Sequence, residues 1–493
     1  MKNSPEKIFG DLLLEVSGTF DTLPDTPCIT DSRIVEPGTV FAAIPGTRHN
    51  GADFIGDALA KGAAAVIHDQ QDLHLPPEII SCKVRDVRSA ISAYYSFRAD
   101  HPDKKLKIYG VTGTNGKTTS AYLLSHILNN ARIPCGLIST VEYQDGKNIL
   151  PPTHTTPDPQ TFFPLLATML TNGMQAAAME FSSHALAQNR LATLNVHGAI
   201  FTNLTGDHLD FHGDMENYYQ AKKRLFTTMI VPGGIAAINV DDPFGERLAE
   251  ELAEERPDLK IPTFGTNEKS GWRLSEISSS ADGCSFVISN AACAYNTEFP
   301  MPGNYNIYNL AGVLTLLLCD QISPDVIDTA LHTHFAVPGR LEKLTAPGGT
   351  RFFVDYAHTD DALANVLKTL KPLTAGKLIV VFGAGGDRDH SKRPRMGAAA
   401  AKYADKIILT NDNPRSEPPL EIIAQIASGI PQGFAFDAIC DRQKALQHAV
   451  EIAKPEDIVL IAGKGHENYQ ETAGIRTHFD DREVLRAIFG ELK

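Results

Sequence analysis

No CxxC pair, no apolar run of membrane length and no excess of positive charge occur in this sequence. Its seven cysteines (Cys28, Cys82, Cys135, Cys284, Cys293, Cys319, Cys440) are scattered and odd in number. A disulfide framework or a structural zinc site is therefore not expected, and a reducing cytoplasm is the default compartment. The best membrane candidate, LAGVLTLLLC (residues 310–319), falls well short of the ~20 residues of a span and reads as a buried helix. The first residues carry acids early and lack the apolar core of a secretion signal. The net charge of −14 argues against non-specific nucleic-acid binding, because no overall positive field would attract phosphate backbones. No internal repeat and no low-complexity segment stands out.

What remains is a chain of 493 residues, 43% of them apolar, too long for one core. About three domains are expected. Seven short apolar runs are each followed by a polar cluster. KIYGV leads to a glycine loop, AAAME to FSSH, and GAIFTNL to TGDH. RFFVDYA leads to His358, KLIVVFGAGG to DRD, KIILT to NDNPR, and DIVLIAG to KGHE. Runs of this kind read as buried parallel strands. Ligands of open parallel sheets bind beyond the carboxyl ends of the strands. The expectation is two doubly wound α/β domains after a smaller α/β block.

The stretch YGVTGTNGKTTS (residues 109–120) nearly matches the phosphate loop G-x-x-x-x-G-K-[ST], but Val111 occupies the leading glycine slot. Lys117-Thr118-Thr119 opens a helix, whose amides and positive dipole end suit an anion. Lys117 could neutralise phosphate charge and Thr118 could offer a hydroxyl to Mg²⁺. Glu180 at a strand end could hold a hard cation, or be a solvated acid. His208 and His212 stand at i,i+4 spacing, but without HExxH they do not argue for zinc.

The spacing G-x-x-G-T-N-G-K-T-T resembles the loop of the Mur ligases and the related folylpolyglutamate synthetases. MEFSSHAL (179–186), FTNLTGDHLDFHG (201–213), YYQAKKRLF (218–226), PGNYNIYNLAG (302–312), PGRLE (338–342) and VDYAHTDDAL (354–363) follow in that family's order, across essentially the whole chain. The resemblance implies three domains. A small N-terminal α/β domain (1–104) would bind the UDP end of a substrate. A central P-loop ATPase-like parallel-sheet domain (105–336) would bind ATP. A C-terminal Rossmann-like domain (337–493) would take the amino acid and close on the nucleotide.

It also implies residue roles. ATP would be held by Gly113, Thr114, Asn115, Gly116, Lys117, Thr118, Thr119, Asn306, Asn309, Arg340, Asp355 and His358. For the asparagines, helix capping by Asn304 or Asn306 is a rival reading. Mg²⁺ would be held by Thr118, Glu180, His208 and Lys222, the last as a CO₂-derived carbamate. Chemistry alone does not choose between Lys222 and Lys223; the family register "AK..LF" selects Lys222, and carbamylation needs a depressed lysine pKa. The family often has proline after YAHT, where this chain has Asp360.

The segment ITDSRIVEPGTVFAAIPGTRHNGADFI (29–55) resembles the family branch that adds a third residue to a nucleotide-linked peptide. Thr30, Ser32, Thr47, Arg48 and His49 would then contact the UDP end, although DSR alone is also a common capped turn. His154, Thr155, Thr156, Ser182, Gln188 and Arg190 match positions that hold the muramoyl dipeptide. DNPR (412–415) marks the diaminopimelate-taking members. Arg388, Asp412, Asn413, Pro414, Arg415, Gly463 and Glu467 complete that pocket. A guanidinium rewards the far carboxylate of diaminopimelate and would sit unpaired opposite lysine. The expected reaction is ATP-dependent amide formation on UDP-N-acetylmuramoyl-L-alanyl-D-glutamate by a cytoplasmic monomer, with no nucleic-acid partner and no membrane insertion. Rival readings are the same ligation with L-lysine, a folylpolyglutamate synthetase, and a non-catalytic nucleotide-binding regulator.

Overall fold

All seven apolar runs are strands, and each pairs in parallel with at least one neighbour. Ala176–Glu180, Leu378–Phe382 and Ile458–Ala462 are buried at every position, which is why they read as continuous apolar runs rather than alternating ones. The computed structural model describes residues 3–19, 22–46 and 49–490. Two compact units result: Met1–Arg273 with Asn309–Ala330, and Leu274–Tyr308 with Leu331–Lys493.

The first unit holds two sheets. The smaller has the order Leu13–Ser17, Ile80–Val84, Ala65–His68, Val40–Ala42, Cys28–Ile29, parallel except for its first strand. The larger places Lys107–Thr112 between Ala176–Glu180 and Val196–Phe201. Cys135–Ile138 lies beyond the former, and Ile230–Asn239 then Thr263–Gly265 beyond the latter. One apolar core runs from Ile8, Tyr94 and Tyr95 to Ile108, Phe162, Met179 and Phe201. The polar run after helix Val87–Arg98 is a packed turn. Asp103 is buried there and accepts from Ser96 Oγ (3.0 Å) and Asn195 Nδ2 (2.6 Å). The stretch expected to be a buried helix is the apolar body of Asn304–Cys319.

The second unit is built on a sheet of order Glu342–Thr345, Arg351–Asp355, Ile458–Ala462, Leu378–Phe382, Lys406–Leu409, Phe436–Ala438, parallel after the first strand. Alternate residues feed two cores. Phe353, Val380 and Leu460 pack with Leu363, Met396 and Ile426 on one face. Phe352, Val381 and Val459 pack with Leu446, Leu485 and Phe489 on the other. All seven cysteines are free. Among the described residues no helix is long and apolar enough to cross a membrane.

One fully buried ion pair ties this second sheet to its helices. Arg442 donates to Asp481 through Nε (2.7 Å) and Nη2 (2.8 Å), with neither side chain exposed. The same guanidinium donates to the carbonyls of Asn411 (3.2 Å) and Ala462 (3.1 Å), the residues just before Asp412 and Gly463. Removing one partner leaves a buried charge uncompensated. Asp481→Asn is therefore expected to destabilise the second unit by about 3–5 kcal/mol. Urea unfolding followed by hydrogen exchange in Ile458–Ala462 measures this, and an unchanged transition would contradict it.

Candidate active site

Val111 sits in the missing glycine slot because that position is still strand. It is fully buried and pairs with Glu180 on one side and Ile200 on the other. The turn begins only at Gly113, with φ of +150°. A Cβ there would lie 1.9 Å from Thr202 Oγ1. Gly116, with φ of +88°, caps helix Lys117–Asn130, and its Cβ would lie 2.1 Å from Asn309 Oδ1. The loop is pinned to the end of the neighbouring strand. Thr114 N donates to Asn203 O (2.8 Å), Asn115 N to Asn203 Oδ1 (3.0 Å), and Thr202 Oγ1 to Asn115 O (2.6 Å). Asn309 thus stands at the loop with the first unit. Asn306 belongs to the second, where its Nδ2 donates to Pro302 O (2.8 Å) at the helix start.

Two lysines share one loop carbonyl. Gly113 O accepts from Lys117 Nζ (3.0 Å) and from Lys222 Nζ (2.7 Å). Lys222 is buried over the Tyr218 ring (4.5 Å) and has no ion-pair partner among the described residues. Burial, then the charge of Lys117, pushes its pKa well below the ordinary lysine value, with Asp207 opposing. Lys223 behaves differently. It pairs with Glu251 (2.8 Å) and Glu255 (2.6 Å), and its pKa is raised. Tertiary structure therefore separates the two lysines that local chemistry could not.

Glu180 is fully buried and accepts only from neutral donors: Thr140 N (2.7 Å), Thr118 Oγ1 (3.1 Å) and Thr140 Oγ1 (3.2 Å). No cation pairs with it among the described residues. A buried carboxylate beside a phosphate loop without a counter-charge fits a hard cation such as Mg²⁺, for which carboxylate and hydroxyl oxygens are the suitable donors. His208 is not part of that group. It is half-exposed, faces Asp207 (3.5 Å), and its ring lies 4.9 Å from that of His184. His212 turns away to Ser183 Oγ (3.0 Å), so the i,i+4 histidines do not converge. Among the described residues no three His, Cys, Asp or Glu side chains form a metal cluster.

The dipeptide-matching residues form one network below Glu180. Thr156 Oγ1 donates to Glu180 O (2.8 Å) and accepts from Ser182 N (2.9 Å). Thr140 Oγ1 donates to Thr155 Oγ1 (3.1 Å). Arg190 donates to Gln188 Oε1 (2.9 Å) and Thr156 O (3.2 Å), with Asp158 3.5 Å away. His154 is 3.9 Å from Asp158. Thr140 joins Glu180 to this network, yet no sequence motif marked it. In the smaller sheet, Asp31 accepts from Arg33 N (2.9 Å), the capped turn read from DSR. Ser32 is buried, Thr30 exposed, and His49 stands edge-on to Phe54 (6.2 Å). Thr47 and Arg48 lie outside the described residues.

In the second unit Asp355 is buried, accepts from Leu341 N (2.8 Å) and Ala357 N (2.9 Å), and has its pKa raised by burial against the pull of Arg340. Arg340 lies over the Tyr356 ring (5.1 Å), and His358 Nδ1 is 2.9 Å from Tyr356 O. Asp360, in place of the family's proline, begins helix Asp360–Leu370 and accepts from Arg395 Nε (2.7 Å). The amino-acid residues converge on three strand ends. Arg415, with φ of +51°, places Nη1 2.5 Å from Gly386 O. Asn413 Nδ2 donates to Glu467 Oε2 (2.8 Å). Pro414 packs its carbonyl where a Cβ on Gly386 would be, and Gly463 leaves room for Asp412 in the same way. Among the described residues, Arg388, the Asp412 carboxylate and Glu467 Oε1 have no hydrogen-bond or ion-pair partner. Sequence reading missed the buried cations behind this pocket. Arg393 donates to Gly385 O (3.1 Å) and Glu417 (2.7 Å), and Lys464 reaches Asn413 and Glu467. Only Lys464 lay within a quoted motif.

Family models match along the chain: the Mur ligase family catalytic domain at residues 28–99, the Mur ligase middle domain at 111–317, and the Mur ligase glutamate ligase domain at 339–465. UDP-N-acetylmuramoyl-L-alanyl-D-glutamate–2,6-diaminopimelate ligase of Geobacter metallireducens is 36% identical over 510 residues, covering 99% of this chain and 97% of the relative. The enzyme of that name from Phocaeicola vulgatus is 39% identical over 487 residues, covering 98% and 97%. A solved structure titled with the same enzyme name aligns with a TM-score of 0.73 at 33% identity, covering 100% of this chain and 99% of the other. A folylpolyglutamate synthase of Mycobacterium tuberculosis shares the fold at 17% identity, with a TM-score of 0.61 over 81% of this chain and 94% of the other.

Glu180→Gln keeps an acceptor for Thr140 and Thr118 but removes the charge. The fold is expected to survive and the Mg²⁺ requirement for nucleotide binding to rise about 10–100-fold. A Mg²⁺ titration that overlays the wild type would remove Glu180 from the metal site.

Proposed function

This chain belongs to the Mur ligase family, and we propose that it joins meso-diaminopimelate to the D-glutamyl side-chain carboxylate of UDP-N-acetylmuramoyl-L-alanyl-D-glutamate at the expense of ATP, in peptidoglycan precursor synthesis. The observation that carries the choice of amino acid is the group of charged side chains in the second unit that keep atoms without a protein partner. Arg388 and Arg415 offer guanidinium groups, and Asp412 and Glu467 offer carboxylate oxygens. The far end of diaminopimelate carries both a carboxylate and an ammonium, and two signs of charge suit it. Lysine brings only the ammonium and would leave the arginines without a partner.

Position and the family resemblance support the following roles. Lys117 and the amino end of its helix face the nucleotide phosphates. Glu180 and Thr118 would hold one Mg²⁺, and His208 with carbamylated Lys222 a second. When bound, these ions draw charge off the phosphate oxygens. A buried, neutral Lys222 amine is the form that reacts with CO₂. Thr155, Thr156, Ser182, Gln188 and Arg190 would orient the dipeptide, with the Arg190 fork on a carboxylate. Ser32 and the segment around His49 would take the UDP end. Arg340, Asp355 and His358 are assigned to the nucleotide, as are Asn306 and Asn309.

The D-glutamyl carboxylate attacks the γ-phosphorus of ATP, giving an acyl phosphate and ADP. The diaminopimelate amine then attacks the acyl carbon, and phosphate leaves. Positioning and electrostatics supply most of the help. We place the domain limits near residues 104 and 336, and the protein in the cytoplasm as a monomer.

ADP release with ATP, Mg²⁺ and the UDP-dipeptide is expected with meso-diaminopimelate and to be about 100-fold weaker with L-lysine. Arg415→Ala should narrow that ratio through the diaminopimelate KM. Equal use of lysine by the wild type would overturn the choice of amino acid. Lys222→Ala is expected to lose activity and recover part of it in added short-chain carboxylate. Full activity without the additive would count against the carbamate.

A further inference from the structure

Lys464 is fully buried, and its one ion-pair partner among the described residues is Glu467. Its Nζ lies 3.3 Å from Asn413 Oδ1 and 3.4 Å from Glu467 Oε2, with the Tyr469 ring 5.4 Å away. Asn413 is held in turn, since Oδ1 accepts from Glu471 N (2.9 Å) while Nδ2 donates to Glu467 Oε2 (2.8 Å). Both donors act on the same carboxylate oxygen. We propose that Lys464 is a positioning residue for the amino-acid substrate: with Asn413 it grips one oxygen of Glu467 and leaves the other to receive the substrate's distal ammonium. This rests on the ligase reading above and adds a residue to it.

The electrostatics point the same way. Burial raises the Glu467 carboxyl pKa, Asp412 raises it further, and Lys464 pulls it down. The other groups facing Glu467 are Tyr356 and Tyr469, whose raised pKa values keep them neutral, and Arg442. An ammonium is recognised only by the ionised carboxylate, so recognition is present above the Glu467 pKa and lost as pH falls through it. Removing Lys464 moves that loss to higher pH. A purely structural lysine would instead weaken every substrate together.

The test compares wild type, Lys464→Met, Glu467→Gln and the double variant from about pH 6 to about pH 9. KM is measured for meso-diaminopimelate, ATP and the UDP-dipeptide, alongside thermal unfolding. Lys464→Met is expected to raise the diaminopimelate KM about tenfold at neutral pH and more at the acid end, with the other two KM values within about twofold. The double variant should match Glu467→Gln alone. A rise of equal size at every pH, a parallel rise for ATP, or additive effects in the double variant would overturn the proposal. Should Lys464→Met alone unfold, the double variant leaves neither charge buried alone and carries the same comparison. Absence of diaminopimelate-dependent ADP release in the wild type would refute the ligase reading itself, and the proposal with it. That failure is distinct from an active wild type indifferent to Lys464.

Discussion

Parallel pairing of Lys107–Thr112 between Ala176–Glu180 and Val196–Phe201 is the constraint on which the first unit's chemistry depends. Val111 stands level with Glu180 on one side and with Ile200 on the other. The phosphate loop, the buried carboxylate and the Thr202-Asn203 anchor therefore leave the sheet at one height. Antiparallel pairing would send alternate strand ends to opposite edges. Gly113 and Gly116 are needed because this convergence is tight: each faces a side-chain oxygen where a Cβ would be.

The second constraint is burial of charge without its counter-charge. Glu180 is enclosed with neutral donors only, and Lys222 is enclosed beside another lysine with no acid paired to it. Burying either ion alone is costly, so each environment selects what completes it. Under the proposed function, a divalent cation would complete Glu180, and the neutral amine of Lys222 would be the form open to carbamylation.

The second unit also buries cations, here behind the residues that face the pocket. Arg442, Arg393 and Lys464 are all buried, and each braces a different loop of the proposed amino-acid pocket. Arg442 holds carbonyls just before Asp412 and Gly463, Arg393 holds the loop before Arg388, and Lys464 meets Asn413 and Glu467. With the supports occupied by protein partners, the residues in front keep charged atoms open to a substrate.

Much of this was legible in the chain. The seven strand ends follow from apolar runs bounded by polar clusters, because strands buried on both faces leave that signature. The loop, Glu180, DNPR and the KGHE segment follow from motifs, which record short-range spacing. By itself the sequence determined the fold class and the family, and it proposed most of the candidate site. Tertiary structure alone decided what depends on contacts across tens or hundreds of residues. Among the described residues it gave Lys223 two acid partners and Lys222 none, and set Asn309 against the loop at Gly116. It turned His212 away from His208, and packed the polar run at Asp103 against Ser96 and Asn195. It also revealed Thr140, Arg393, Arg442 and Lys464 as supports. The physical reason is that burial and electrostatic environment belong to the packed assembly, and no local pattern of residues encodes them.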